Sequence, residues 1–199
     1  MKISPFTFLF LSLGTFAQEL TEDERKDSLI SHFEMPDYQE REFNYDLIEY
    51  MIRYGRQLAP TYLEANSRQL MTKVMGHFHD MKRFQQKQIN TVTSDDIDLI
   101  LSNLRQGKEK PEYRGVCYYL EFNRLGYAIA DWQELKPGDI VQWWWFSGRQ
   151  GHCGIIAEVN LEHQWFTIYS STPEQGFGLK MYLITDDIQF YFARMTRGF

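Results

Sequence analysis

The fold is decided by the stretch Leu135-Lys-Pro-Gly-Asp-Ile-Val-Gln-Trp-Trp-Trp-Phe-Ser-Gly-Arg-Gln-Gly-His-Cys-Gly-Ile-Ile156. It contains two runs rich in β-branched and aromatic residues, and a turn that contains Gly precedes each run. Turns and strands are therefore expected in alternation from here to the C-terminus, at 136–139, 140–146, 147–151, 152–159, 165–169, 178–184 and 188–195. Short strands joined by turns predict an antiparallel sheet.

The first half of the chain has helical periodicity, because its apolar residues recur at a spacing of three or four. The helices expected are 45–58, 63–89, one that follows the N-cap Ser94, and one from about Cys117 to Gly126. Helices that come before an antiparallel sheet predict the α+β class, with N-terminal helices packed on a C-terminal sheet.

The first 17 residues have the features of an export signal. Lys2 precedes a short apolar run, and Thr15 and Ala17 are the small residues before the expected cleavage site. We expect a signal peptide at 1–17, a charged lead-in at 18–44 and a single domain at 45–199. The protein is then exported to the periplasm or the medium and is soluble after cleavage.

The composition argues against several partners. The 199 residues carry a formal net charge of −6, with 21 Lys and Arg against 27 Asp and Glu. Nucleic acid is not an expected partner, because phosphate binding requires clustered Lys and Arg. No P-loop, GxGxxG or GxSxG motif is present, so neither nucleotide binding nor serine-hydrolase chemistry is expected. No cofactor is expected for the function proposed below. A metal site at His77 and His79 is not expected either, since positions i and i+2 of a helix point apart.

Two residues that could act together in hydrolysis, a cysteine and a histidine, are expected where the helices meet the sheet. Cys117 is expected at the start of a helix, where the helix dipole lowers the pKa of a thiol. His152 is expected at the start of a strand, after a Gly turn. Brought together, the two would form a nucleophile and its general base. The domain then divides into a helical half, 45–112, and a catalytic half, 113–199.

The same cysteine has two other interpretations. A thiol in a protein core is ordinarily structural, and export to an oxidising compartment also permits a disulfide between Cys117 and Cys153. Side chains alternate along a strand, so His152 and Cys153 point to opposite faces. We expect His152 to face the Cys117 helix and Cys153 to face away from it, which disfavours the disulfide.

The order of these motifs resembles that of the NlpC/P60 and CHAP cysteine peptidases and amidases of the papain-like superfamily. The resemblance covers about residues 113–185, in the segments Arg114-Gly-Val-Cys-Tyr-Tyr-Leu120, Leu135-Lys-Pro-Gly-Asp-Ile-Val141, Gly151-His-Cys-Gly-Ile-Ile156 and Thr167-Ile-Tyr-Ser-Ser171. It implies a papain-like fold with Cys117 as nucleophile and His152 as base. A third polar residue, Ser170 or Tyr169, would orient the imidazole.

The resemblance also implies a substrate, a peptide of bacterial peptidoglycan that an endopeptidase or amidase hydrolyses at an amide bond. The chain departs from the NlpC/P60 pattern beside the nucleophile, where Val116 and Tyr118 replace the usual Asp and Ser. Two alternatives therefore stay open. An inactive module of the same family would bind cell-wall fragments or a protein partner. An effector or toxin would use the same Cys–His chemistry on another amide or ester.

Four residues are expected to bind substrate. Tyr62, in Ala59-Pro-Thr-Tyr62, resembles the Tyr of the NlpC/P60 "G-x-P-Y" element, which assists the oxyanion. Trp144 belongs to an aromatic run whose rings must lie on both faces of a strand, and one of these faces would form a groove wall. Arg114 and Arg149, in the loops before Cys117 and His152, would meet the carboxylates of a wall peptide.

Overall fold

The computed structural model describes residues 43–91 and 95–197, all within one compact unit. The expected signal peptide, most of the lead-in and the N-cap Ser94 lie outside the described residues. The α-helices within these ranges are α1 Phe43–Leu58, α2 Ser67–Phe78, α3 Arg83–Thr91, α4 Ile97–Arg105 and α5 Gly115–Phe122. In this part of the chain, none of the helices is long and apolar enough to cross a bilayer.

The second half of the chain forms one antiparallel sheet. Its strands are β1 Gly126–Ile129, β2 Ile140–Trp145, β3 Gln150–Asn160, β4 Trp165–Thr172, β5 Gly176–Leu183 and β6 Ile188–Met195. The order across the sheet is β1-β6-β2-β3-β4-β5. The expected α+β class, with helices before an antiparallel sheet, is confirmed. The expectation that the Cys117 helix runs to Gly126 is wrong, because α5 ends at Phe122 and Gly126 begins β1.

The single long helix expected at 63–89 is two helices, α2 and α3. A capping box starts α2, in which Asn66 Oδ1 accepts from Gln69 N at 3.1 Å and Gln69 Oε1 accepts from Asn66 N at 2.9 Å. The helix stops because His79 adopts extended backbone angles. Apolar spacing continues across the break, since Met81 and Ile89 stay in the same core as α2. Periodicity therefore predicted the buried face correctly and missed the break.

The sheet has two apolar faces. One face packs against the helices and contributes Ile140, Cys153, Ile155 and Ala193 to the main core. The other face carries a second cluster, which includes Val141, Trp143, Ile156, Phe166, Ile168 and Phe192. The sheet curls around this second cluster. Three strands separate β5 from β6, yet the rings of Tyr182 on β5 and Phe190 on β6 lie only 6.5 Å apart.

The Pro-Gly-Asp turn joins the helices to the sheet through Asp139, whose side chain is fully buried. The carboxylate accepts from Arg194 Nε at 2.7 Å and Nη2 at 2.8 Å, on β6. It also accepts from Asn44 Nδ2 on α1 at 3.0 Å and from Lys136 N at 2.8 Å. Position 138, in the turn just before Asp139, requires glycine. Its φ is +91°, and a Cβ there would lie 2.5 Å from Asn44.

Candidate functional site

A groove of about 450 Å³ opens where β2 and β3 meet the segments before α2 and α4. Six residues that matter to its chemistry line it: Tyr62, Arg68, Gln142, Trp144, Arg149 and His152. Four of these were expected as site residues from the sequence, namely Tyr62, Trp144, Arg149 and His152. The groove is within the size range of small-molecule sites. We call it the His152 groove.

His152 is 92% buried at the start of β3, with 8% of its surface exposed. It pairs across the strands with Trp143, and the two rings stack with their centroids 5.5 Å apart. The Tyr62 ring lies 6.3 Å from the imidazole. The Nδ1 atom of His152 is buried and has no hydrogen-bond partner among the described residues. Burial first, and Lys180 second, hold the pKa of His152 below its ordinary value, which favours the neutral imidazole.

Gln142 is the second buried polar residue of the groove, 2% exposed on β2. Its Nε2 donates to the carbonyl of Trp143 at 3.3 Å. Its Oε1 is buried without a hydrogen-bond partner in the part of the chain that the structure describes. Gly115 makes room for this amide, because a Cβ at that position would lie 2.2 Å from Oε1. A Gln within the apolar run Ile140–Trp145 was the sequence signal for this residue, and sequence reasoning missed it.

Trp144 forms a wall of the groove and is itself held rigidly. Its indole N–H donates to the carbonyl of Tyr113 at 2.5 Å. Gly151 lies directly opposite on β3, where a Cβ would approach the indole ring to 2.2 Å. The Gly before His152 is therefore needed so that the Trp144 ring can lie flat across β3.

The two arginines of the groove differ in their partners. Arg149 Nη2 contacts both carboxylate oxygens of Asp98 at 2.6 Å, in a pair whose side chains are 66% and 60% exposed. Arg68, near the start of α2, donates to the carbonyl of Thr91 at 3.3 Å. Sequence reasoning missed Arg68, since nothing in its neighbourhood marks a binding residue and only the packing of α2 on β3 brings it here.

Cys117 lies outside the groove. Its side chain is fully buried in the core between the helices and the sheet, and Sγ is 3.3 Å from the carbonyl oxygen of Tyr191. Burial raises the pKa of the thiol far above its ordinary value, which favours the neutral form. The helix start was expected to lower this pKa, but desolvation of a fully buried thiol is the larger effect.

The structure does not bring Cys117 and His152 together. Cys153, not His152, faces α5, because Cys153 shares the main core with Cys117 whereas His152 pairs with Trp143 of the second cluster. The alternation that we expected on β3 is present, but the assignment of its two faces was wrong. Both cysteines are free thiols.

The remaining expected site residues also lie away from the His152 groove. Ser170 is fully buried, and its Oγ donates to the carbonyl of Cys153 at 2.7 Å rather than to an imidazole. Tyr169 stacks on Phe177, with ring centroids 5.5 Å apart. Arg114 pairs with Glu121 at 2.9 Å along α5. Among the described residues, no cluster of His, Cys, Asp and Glu has the makings of a metal site.

We predict that acid destabilises the protein through His152. Because its folded-state pKa lies below the ordinary 6.5, the unfolded chain binds the proton more readily. The free energy of unfolding should therefore fall as the pH drops below about 6.5, and the fall should end below the folded-state pKa. Urea unfolding of the wild type and of His152→Gln between pH 7.5 and 5 checks this, and the variant should show the shallower dependence.

His79 sets the control for this measurement. It is also buried, and burial also lowers its pKa, so the wild-type slope contains both residues. His79→Gln should also make the free energy of unfolding less dependent on pH. The double variant should lose most of the pH dependence that the two histidines contribute. A pH dependence that His152→Gln leaves unchanged would contradict the neutral buried imidazole.

Comparison of the chain with protein-family models, with curated proteins and with solved structures gives no match.

Proposed function

We propose that this protein is a binding module that holds a peptide fragment in the His152 groove without hydrolysing it through Cys117. One observation carries the proposal. The groove gathers the side chains of Tyr62, Trp144 and His152, whereas the Cys117 thiol is fully buried in the main core and lines no part of the groove.

The chemistry of the groove suits a peptide. Aromatic faces at Tyr62 and Trp144 offer apolar contact, and the polar side chains of the lining offer hydrogen bonds to an amide backbone. Arg68 and Arg149 bring positive charge to the lining of a chain of net charge −6, although Asp98 pairs with Arg149 at the rim. The resemblance to NlpC/P60 and CHAP proteins, together with the expected export, makes a cell-wall peptide the proposed ligand.

Hydrolysis through Cys117 would need changes that this arrangement does not contain. The thiol would have to lose its proton in a dry core, although its hydrogen bond is to a backbone carbonyl. It would also have to reach an imidazole on the opposite face of β3. The cysteine hydrolase expected from the motifs remains a prediction that one experiment separates from the binding module.

That experiment measures binding and cleavage of purified muropeptides by the wild type, Cys117→Ala and Tyr62→Ala. The wild type and Cys117→Ala should bind with dissociation constants within about twofold of each other, and both should leave the fragment profile unchanged. Tyr62→Ala removes one aromatic face and should weaken binding about three- to tenfold. Tyr62 is half-buried, so its loss should not unfold the protein.

Two results would contradict the proposal. New fragments produced by the wild type and not by Cys117→Ala would establish the hydrolase. Absence of binding by a folded wild type would exclude cell-wall fragments as the ligand. A thermal melt of each variant shows that the comparison is made between folded proteins.

A further inference from the structure

The strand β5 is one edge of the sheet, and its outer side is open over most of its length. On its inner side, β5 pairs with β4 without a break from Gly176 to Leu183. On its outer side, the N–H of Phe177 donates to the carbonyl of Ala59 at 2.9 Å, so the segment after α1 covers the start of the strand. Beyond Phe177, no backbone hydrogen bond leaves this side of β5 within residues 43–91 and 95–197.

Three residues of β5 direct their backbone groups toward the open side. The backbone groups of alternate residues in an antiparallel strand point to alternate sides, and the N–H of Phe177 points away from β4. The N–H and C=O groups of Leu179, Met181 and Leu183 therefore point outward as well. We call these three residues the β5 edge. Such a row of unpaired backbone groups is a template for a further strand.

The side chains of the β5 edge form an apolar stripe. Leu179, Met181 and Leu183 are 44%, 59% and 53% exposed, and they share one face because side chains alternate along a strand. The charged residue of this strand, Lys180, lies on the other face, with Nζ 5.9 Å from the centroid of the Tyr182 ring. Proteins commonly protect an exposed edge with a charge, a proline or a bulge, and an unprotected apolar edge indicates an interaction surface.

We propose that the β5 edge pairs with the β5 edge of a second copy of this chain, antiparallel about a two-fold axis at Met181. A two-fold contact uses the same surface on both protomers. Met181 then lies opposite Met181 of the partner subunit, and Leu179 lies opposite Leu183 of the partner subunit. The apolar stripe continues across the axis, and the outward backbone groups pair as in any antiparallel ladder.

Charge and strand length favour a second copy in this register. Lys180 lies opposite Tyr182 of the partner subunit, so the two lysines are not directly opposed. An axis at Lys180 would oppose them, and an axis at Tyr182 would place Leu179 past the end of the partner's strand, which stops at residue 183. The strand contains no acidic residue, so this contact brings together none of the carboxylates behind the net charge of −6.

Sedimentation velocity of the full-length mature protein, between about 1 and 500 µM, measures the association. The contact is small, so we expect a weak dimer with a dissociation constant of about 10–200 µM. Association should end at the dimer, because the contact occupies the β5 edge of both copies. A protein that stays monomeric throughout this range, or that assembles beyond the dimer, would overturn the proposal.

Substitutions at Met181 test the register. Met181→Lys and Met181→Glu each place like charges opposite each other on the axis and should weaken the dimer about tenfold or more. A mixture of the two variants should dimerise again, because the introduced ammonium and carboxylate meet only where residue 181 faces its own copy. Phe122→Lys, on α5, is the matched control with a side chain of similar exposure, 58%, and should dimerise like the wild type. A mixture that stays monomeric would overturn the axis at Met181.

Hydrogen exchange of the backbone amides shows what covers the edge. The amides of Leu179, Met181 and Leu183 should exchange more slowly as the wild-type concentration rises, and should exchange rapidly in Met181→Lys at every concentration. Slow exchange in a monomer would show that another segment of the chain covers the edge and would overturn the second copy. The β5 edge shares no residue with the lining of the His152 groove, so these outcomes are independent of the proposed function.

Discussion

Replacing Asp139 by alanine should lower the free energy of unfolding by about 3–5 kcal/mol. The carboxylate is fully buried and receives four hydrogen bonds, from Asn44, Lys136 and the Arg194 fork. Its removal leaves the Arg194 guanidinium without its counter-charge and removes the carboxylate that links Asn44 of α1 to β6, while Asn44 keeps its hydrogen bond to the carbonyl of Pro137. Breaking one side of a buried pair is costly because the remaining group stays desolvated.

A matched aspartate separates burial from charge in this prediction. Asp98 also faces an arginine through both carboxylate oxygens, but its pair with Arg149 is exposed. Asp98→Ala should therefore change the free energy of unfolding by no more than about 1 kcal/mol. Urea unfolding of the two variants at neutral pH gives the comparison. Similar effects of the two substitutions would show that the Asp139 network does not anchor the helices to the sheet.

The thiols of native protein should react with a thiol reagent about a thousandfold or more slowly than those of unfolded protein. Cys117 and Cys153 are both fully buried in the main core, and burial raises the pKa of each, so the reactive thiolate is disfavoured. Reaction then requires opening of the core, whose free energy approaches that of global unfolding. Kinetics with Ellman's reagent in buffer and in urea measure the ratio.

Single variants make this measurement decisive. Cys117→Ala and Cys153→Ala assign each rate to its thiol. Lys108→Cys places a thiol in an exposed loop and should react rapidly in native protein, which controls for the reagent. Rapid reaction of Cys117 in the folded protein would show that the thiol reaches solvent. The cysteine hydrolase would then become the better interpretation of the motif.

Much of the fold follows from local sequence patterns. Alternating apolar residues, separated by turns that contain Gly, predicted five of the six strands to within a few residues. The strand β1 was missed because 126–129 is only four residues long and follows a helix directly. The long helix expected at 63–89 is two helices in the structure. Extended backbone angles at His79 end the first helix, while the spacing of apolar residues continues past the break. Such breaks leave no mark on periodicity.

Local sequence patterns also predicted part of the candidate site. Tyr62, Trp144, Arg149 and His152 were expected because each lies in a recognisable local pattern, and one groove contains all four. Cys117, Ser170 and Arg114 were expected in the same site, and the structure places them elsewhere. Arg68 and Gln142, which also line the groove, were not expected: only the packing of α2 on β3 brings Arg68 there, and the signal of a Gln within an apolar run was missed.

The sequence by itself determined that His152 and Cys153 point to opposite faces of a strand, because strand geometry alternates side chains whatever surrounds them. It did not determine which face meets the helices. Packing decided this, since α5 covers the face that carries Cys153 and the curled sheet encloses the face that carries Trp143 and His152. One local rule thus allows two arrangements, and only the burial of apolar surface across the whole fold selects between them. That selection buries the thiol in the core and leaves the imidazole at the groove.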